Sequence, residues 1–171
     1  SELLEKIEAK DDDVDLLDKE IKIYLTKITK ESLSDEQAGR QLEIMLFSDN
    51  IENIGDVIDK NLMDLARKKI KNGSSFSKDG LSEIITLHKK VLENFELGVA
   101  AFASSDESLA QKLVNHKARV SEIERELRDA HINRLHKGLR ETIDTSAIHL
   151  DVLTNLKRIN SCITNAVYPI L

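Results

Sequence analysis

A single proline, Pro169, stands third from the end of this 171-residue chain, so no proline interrupts any earlier segment. Proline breaks helices because it lacks a backbone N–H and its ring clashes with the preceding turn. The chain also has six glycines and only 4% aromatic residues, while leucine, isoleucine, lysine and the acidic residues abound. This composition favours long helices and lacks the residues that strands prefer. We therefore predict an all-α fold.

Hydrophobic periodicity and capping residues mark the first two helices. Branched aliphatic residues recur every seven positions from Ile7 to Ile28, which predicts a first helix over about residues 2–30. The segment 34–37 (Ser-Asp-Glu-Gln) has capping-box spacing and opens the second helix. Asn72-Gly73 ends that helix, because glycine readily adopts the left-handed conformation of a helix C-terminus.

Three more helices follow by the same signals. The third helix is predicted over about residues 79–103 and the fifth over about residues 145–167. The fourth begins at a second capping box, formed by Ser104 and Glu107, and ends at about His136. Short connections between long helices place them antiparallel. The expected architecture is an antiparallel bundle of about five long helices in a single domain, residues 1–171.

Charge and cysteine content exclude several classes of protein. A net charge of −6 argues against nonspecific nucleic-acid binding, which needs a positive surface. The lone Cys162 cannot form an internal disulfide, so we expect a reducing compartment. The longest uncharged stretch, residues 159–171, is shorter than the roughly 20 residues of a membrane span.

The two halves of the chain resemble each other. The pattern from Val14 to Ile21 matches that from Val120 to Leu127, a shift of 106, and Asn50-Ile51 matches Asn155-Leu156, a shift of 105. We predict repeat one over about residues 1–73 and repeat two over about residues 79–171.

Repeat two has one helix more than repeat one. The counterpart of the third helix should therefore lie upstream of Ser1, and the chain, which starts without methionine, is expected to be part of a longer protein. The groove that this missing helix would fill should be exposed or covered by another chain.

Acidic residues form the strongest candidate site. Asp11 and Asp15 are four apart on the first helix, as are Glu52 and Asp56 on the second, so each pair shares a helix face. Packed antiparallel, the two helices could bring these carboxylates together, where they repel unless they are protonated or bridged by a cation. Oxygen ligands suit Mg²⁺, Ca²⁺, Mn²⁺ or iron.

A simpler interpretation is that these acids are solvated, as acidic pairs on helices commonly are. Gly55, inside the second helix beside Glu52 and Asp56, favours a close helix contact at the acids, because an interior glycine costs about 1 kcal/mol relative to alanine.

The repeat supplies an internal comparison. At the four equivalent positions, the second copy has two lysines and two serines: Lys117, Ser121, Lys157 and Ser161. If repeat one binds a cation, repeat two has lost that ability, and lysine places positive charge where an ion would sit. The sequence identifies no acidic partner for these lysines.

The run Asn-Ile-Glu-Asn-Ile-Gly-Asp at residues 50–56 resembles the Asp-Leu-Glu-Arg-Ile-Gly-Asp signature of PhoU proteins, but Asn50 and Asn53 stand where the signature has aspartate and arginine. The acidic segment 11–21 resembles the one that precedes this signature in the family. The second half, including residues 131–135, 156–160 and 168–171, is similar to the PhoU-like tail of bacterial sodium/phosphate cotransporter-related proteins.

This resemblance implies a fold and a role. It implies two PhoU-type three-helix repeats, the first lacking its first helix, in a cytoplasmic regulatory module of sodium-dependent phosphate uptake. The implied metal ligands are Asp11, Asp15, Glu52 and Asp56, for a divalent metal or iron (Mn, Mg, Fe or Zn). The implied partner is a membrane phosphate transport domain, in the same polypeptide and at the cytoplasmic face of the membrane, with room for a homodimer.

Nothing in the sequence indicates an enzyme. None of the five histidines lies three residues after a glutamate, as ferritin-like di-iron sites require, and no phosphate-binding glycine loop occurs. The alternative to a regulatory module is a purely structural helical bundle without a ligand.

Overall fold

The computed structural model describes residues 2–29 and 32–171, so Lys30, the predicted end of the first helix, lies outside the described residues. The prediction of an all-α bundle is confirmed. The helices are α1 (Glu2–Ile28), α2 (Asp35–Asp56), a π-helical segment (Val57–Leu62), α3 (Met63–Lys71), α4 (Lys78–Ser104), α5 (Glu107–His136), α6 (Arg140–Asp144), α7 (Ser146–Val167) and a terminal 3-10 turn (Tyr168–Ile170).

Most of the predicted helix boundaries are confirmed. Ser34 accepts a hydrogen bond from the Gln37 backbone while the Gln37 side chain accepts one from Ser34, which is the predicted capping box. Gly73 and Gly138 follow α3 and α5 with φ of 61° and 73°. Both are left-handed conformations that glycine adopts without steric cost.

The predicted capping box at Ser104 and Glu107 is wrong. Ser104 is the last residue of α4, and the Asp106 carboxylate caps α5 by accepting from the backbone N–H groups of Ser108 and Leu109. Ser105 lies between the two helices with a left-handed φ of 47°. Ser104 does not cap α5, because it belongs to α4 and its hydroxyl donates a 2.8 Å hydrogen bond to the Ala100 carbonyl.

Helix α7 lies at the centre of the bundle, where it packs against α2, α4 and α5. Its core residues include Leu153, Leu156, Ile159, Ile163 and Val167. Fully burying a side chain of this kind stabilises the fold by roughly 1.5–3 kcal/mol. The buried amides of Asn94 and Asn160 add a hydrogen bond of 2.7 Å between α4 and α7.

Contacts between α1 and α2 recur between α5 and α7. Lys22 bridges Asp18 and Asp49 in the first pair of helices. At the equivalent positions, Arg128 bonds Glu124 and Thr154. These matched contacts support the internal repeat, whose boundaries at residues 1–73 and 79–171 stay a prediction.

Helix α1 is held more loosely than the other long helices. Asp18 and Leu25 are its buried residues, whereas Leu3, Leu17 and Tyr24 are more than half exposed. Between α1 and α2 runs an apolar groove of about 280 Å³, lined by residues that include Val14, Leu17, Ile21, Ile44 and Ile51. An exposed groove on this face is what the repeat leads one to expect. The helix proposed to fill it stays a prediction.

Across the described ranges 2–29 and 32–171, none of the helices combines the length and the apolar character that a bilayer span requires.

Candidate functional site

Helices α1 and α2 lie close together at Gly55. A Cβ atom at position 55 would lie 2.6 Å from the Asp11 Oδ1 atom, well inside van der Waals contact. The Asp11 carboxylate therefore packs directly on the α2 backbone. This explains the glycine in the interior of α2, where it otherwise lowers helix stability.

Three of the four predicted ligands meet at this crossing. Asp11, Asp15 and Asp56 each offer a carboxylate oxygen, and these oxygens all lie within 4.8 Å of one another. Two of the acids are one turn apart on α1 and the third comes from α2, so the group joins the two helices. We call Asp11, Asp15 and Asp56 the acidic trio.

The fourth predicted residue, Glu52, lies beside the trio but does not belong to it. Burial raises the pKa of Glu52, and the negative charges of Asp56, Asp15 and Asp18 raise it further. Glu52, one turn before Asp56 on α2, is thus close enough to the trio for electrostatic repulsion. Whether any of the four residues binds a metal stays a prediction.

Asp59 is a fifth acid that the sequence analysis missed. It lies in the π-helical segment, and its Oδ1 atom is buried with no hydrogen-bond partner among the described residues. Its three-residue spacing from Asp56 could have suggested a shared face. The wider π-helical turn that places it there depends on tertiary packing and leaves no clear sequence signal.

The electrostatics of the trio are unfavourable without a counter-ion. The Asp11 Oδ1 atom is buried and has no hydrogen-bond partner among the described residues. Burial raises the pKa of Asp11, as do Asp15, Asp59 and Asp56, while Lys60 opposes the shift. An unpartnered buried carboxylate oxygen beside two further carboxylates is a donor set that suits a hard cation. The residues present therefore fit the metal that the resemblance implies.

Two lysines neutralise part of the surrounding charge. Lys60 forms an ion pair with Asp56. One turn from the trio, Asp18 accepts a 2.8 Å hydrogen bond from Ser48 and forms a 2.7 Å ion pair with Lys22. Asp18 is therefore a satisfied structural carboxylate, while the partners of Asp11 are incomplete.

Repeat two has a lysine side chain near the position that corresponds to the acidic trio. The Lys157 Nζ atom, at the position equivalent to Glu52, lies 3.2 Å from the Glu124 carboxylate, at the position equivalent to Asp18. Burial raises the pKa of Glu124, but hydrogen bonds from Arg128 and Lys157 outweigh it, so the pKa is lowered overall. Glu124 is the acidic partner of lysine that the sequence did not reveal.

A second buried polar cluster, also missed from the sequence, joins α4, α5 and α7. The rings of His131 and His149 stack with centroids 4.5 Å apart, and Glu83 contacts both Arg134 and His149. Burial is the main cause that lowers the pKa of His149 to about 4, which keeps its ring neutral near pH 7. We interpret this cluster as structural, because its charged members pair with each other.

Comparisons with known proteins agree with this architecture. Residues 84–168 match the PhoU domain. The chain is also 34% identical over 160 residues to the putative inorganic phosphate export proteins YjbB of Escherichia coli strain K12 and of Shigella flexneri. Each alignment covers 94% of this chain and 30% of the relative, so the chain spans about a third of their length. No solved structure matches the chain.

The Gly55 contact predicts an asymmetry between two glycines of α2. Gly55→Ala forces the Asp11 carboxylate and the α2 backbone apart, so we expect it to destabilise the fold by about 1–3 kcal/mol. Gly39→Ala, with nothing within 4 Å of its added Cβ, should instead stabilise the same helix. The gain should approach about 1 kcal/mol. Urea unfolding monitored by circular dichroism measures both.

The double variant Asp11→Ala/Gly55→Ala provides the rescue control, because it removes the side chain with which the new methyl group collides. Its stability should exceed that of Gly55→Ala. Equal stabilisation by both glycine substitutions would contradict the close crossing.

The raised pKa values of Asp11 and Glu52 predict a pH dependence in the cation-free protein. A carboxyl whose pKa is higher in the folded state binds more protons there, so its contribution to stability falls as the pH rises above about 4. Asp11→Asn should therefore stabilise the cation-free protein, and increasingly so towards pH 7. Urea unfolding in EDTA at several pH values measures this gain.

Asp12→Asn, an exposed neighbour on α1, serves as the matched control and should show a smaller, flatter difference. Lower stability of Asp11→Asn at pH 7 would contradict the repulsion assigned to the trio.

Proposed function

Through residues 84–168 this chain belongs to the PhoU domain family, and from that membership we propose that it is a regulatory, non-enzymatic domain of a phosphate transport protein. The observation that carries the proposal is the acidic trio, which joins α1 to α2 through charges that a cation can bridge. A domain with such a joint can change its helix packing in response to an ion.

The proposed partner is a membrane phosphate transport domain in the same polypeptide, with this domain at the cytoplasmic face of the membrane. Support comes from the relatives, which are named as phosphate export proteins and of which this chain spans 30%. Their name gives export, whereas the sequence resemblance implied sodium-dependent uptake. We therefore propose control of phosphate transport without assigning its direction or its coupling ion.

The acidic trio would hold the cation. Glu52 lies close enough for the charges of Asp15 and Asp56 to raise its pKa. The side chains of the trio are all carboxylates, a set that suits Mg²⁺, Mn²⁺ or iron better than Zn²⁺, which favours nitrogen and sulfur. Bound there, a cation supplies positive charge that relieves the repulsion between the two helices. It serves as a structural cross-link and takes part in no reaction.

The loose packing of α1 makes such a cross-link consequential. Because few of its residues are buried, the position of α1 depends strongly on its contact with α2 at the trio. A cation that strengthens this contact also orders the exposed apolar side chains of α1, such as Leu3 and Leu17. This face is our candidate for the contact with the transport domain or with a second copy.

One observation favours the alternative, a structural bundle without a ligand. The ion pair between Lys60 and Asp56 already neutralises one member of the trio. It leaves Asp11 and Asp15 unbalanced, however, and Lys60 is 60% exposed and therefore easily displaced. An exposed pair of this kind contributes about 0–1 kcal/mol.

The test is a thermal unfolding titration with Mn²⁺ and Mg²⁺. Binding to the folded state alone raises stability as RT ln(1 + [L]/Kd), about 2.7 kcal/mol at a concentration of 100 Kd. We expect a saturating rise in melting temperature that Asp15→Asn/Asp56→Asn abolishes.

The control variant Asp12→Asn/Asp129→Asn removes the same charge at two exposed positions outside the trio, and it should keep the rise. A flat titration of the unmodified chain, or equal loss in both double variants, would refute the cation site and leave the structural alternative.

A further inference from the structure

Repeat two has an open pocket of about 440 Å³ between α5 and α7. Three of its seven lining residues are basic and two are acidic. The residues are Ala118, Ser121, Glu122, Glu124, Arg125, Arg128 and Lys157. We call it the basic pocket.

The charges of the basic pocket do not cancel. Glu122 is paired outside it, where it accepts from Arg119 at 2.5 Å. Glu124 is buried and shared between Arg128 and Lys157, so three cations face one remaining carboxylate. Within residues 2–29 and 32–171, Arg125 has no carboxylate within ion-pair distance.

The donors are positioned rather than merely charged. Arg128 donates to the Glu124 carboxylate and makes a 3.0 Å hydrogen bond to Thr154. Lys157, which lies on α7, also donates to Glu124. Arg125 and Ser121, one turn apart on α5, line the same opening. This arrangement fixes two cationic groups and leaves Arg125 free to close on a ligand.

The location is the repeat-two counterpart of the acidic site. Ser121 and Lys157 occupy the positions of Asp15 and Glu52, and Arg128 occupies that of Lys22. Two acids of repeat one are thus replaced by a hydroxyl group and an ammonium group, whereas the third position carries a cation in both copies. The two copies of the crevice therefore differ in charge, because repeat two lacks the carboxylates of Asp15 and Glu52.

We infer that the basic pocket binds a phosphate oxyanion. Guanidinium groups match the geometry of phosphate oxygens with paired N–H donors, and lysine adds a compact charge. The choice of phosphate among anions rests on the proposed function, whereas the preference for an oxyanion rests on the pocket itself. Inorganic phosphate and the headgroup of an anionic lipid share this chemistry.

Amide NMR spectra of the ¹⁵N-labelled chain test the inference, with inorganic phosphate added at constant ionic strength in EDTA. We expect saturable shifts confined to amides near residues 118–128 and 157. Arg125→Gln should weaken binding roughly tenfold, as expected for the loss of a charged donor. Arg158→Gln, the same change at an exposed arginine beside Lys157, should stay within about twofold.

A second arm replaces phosphate with vesicles of phosphatidylglycerol or of neutral phosphatidylcholine. If inorganic phosphate saturates the amide shifts and vesicles do not bind the chain, the ligand is a free anion. If phosphatidylglycerol vesicles bind the chain and Arg125→Gln abolishes this binding, the ligand is a lipid headgroup. Equal weakening in Arg125→Gln and Arg158→Gln, or no response in either arm, would overturn the inference. Because EDTA excludes divalent ions, failure here is independent of the Mn²⁺ titration that tests the acidic trio.

Discussion

Repulsion between carboxylates at the crossing of α1 and α2 is the constraint on which the first half of this structure depends. Gly55 lets the helices approach until the Asp11 oxygen rests on the α2 backbone. Asp15 and Asp56 then lie within 4.8 Å of Asp11, where like charges destabilise one another unless protons or cations intervene. The close contact at Gly55 therefore also brings like charges together, and we propose that this makes the contact sensitive to ions.

Repeat two resolves the same problem within the chain. Lys157 supplies an ammonium group where repeat one has Glu52, and it binds Glu124, the counterpart of the structural Asp18. The four acids of the candidate site are absent at the equivalent positions of α5 and α7, and α7 lies at the centre of the bundle. The two halves thus share contacts between equivalent residues and differ in charge at the four positions of the candidate site.

Local features of the fold were predictable, whereas its long-range pairings were not. The cap at Ser34 and the helix ends at Gly73 and Gly138 depend on neighbouring residues, and helical spacing places the two acids of each predicted pair on one helix face. The choice of Asp106 over Ser104 as a cap depends on how far α4 extends, which packing decides. The pairing of Lys157 with Glu124 and the stack of His131 on His149 require the relative register of separate helices. Asp59 was missed because the π-helical turn that carries it changes the helical spacing.

Anomalous X-ray diffraction from a crystal of this chain grown with Mn²⁺ tests the central claim directly, because it locates bound manganese without reference to stability. The account predicts one strong peak among the carboxylates of Asp11, Asp15 and Asp56, and none beside Lys117, Ser121, Lys157 and Ser161. A map without a peak at the α1–α2 crossing, or with a peak of similar height at the α5–α7 positions, would contradict it.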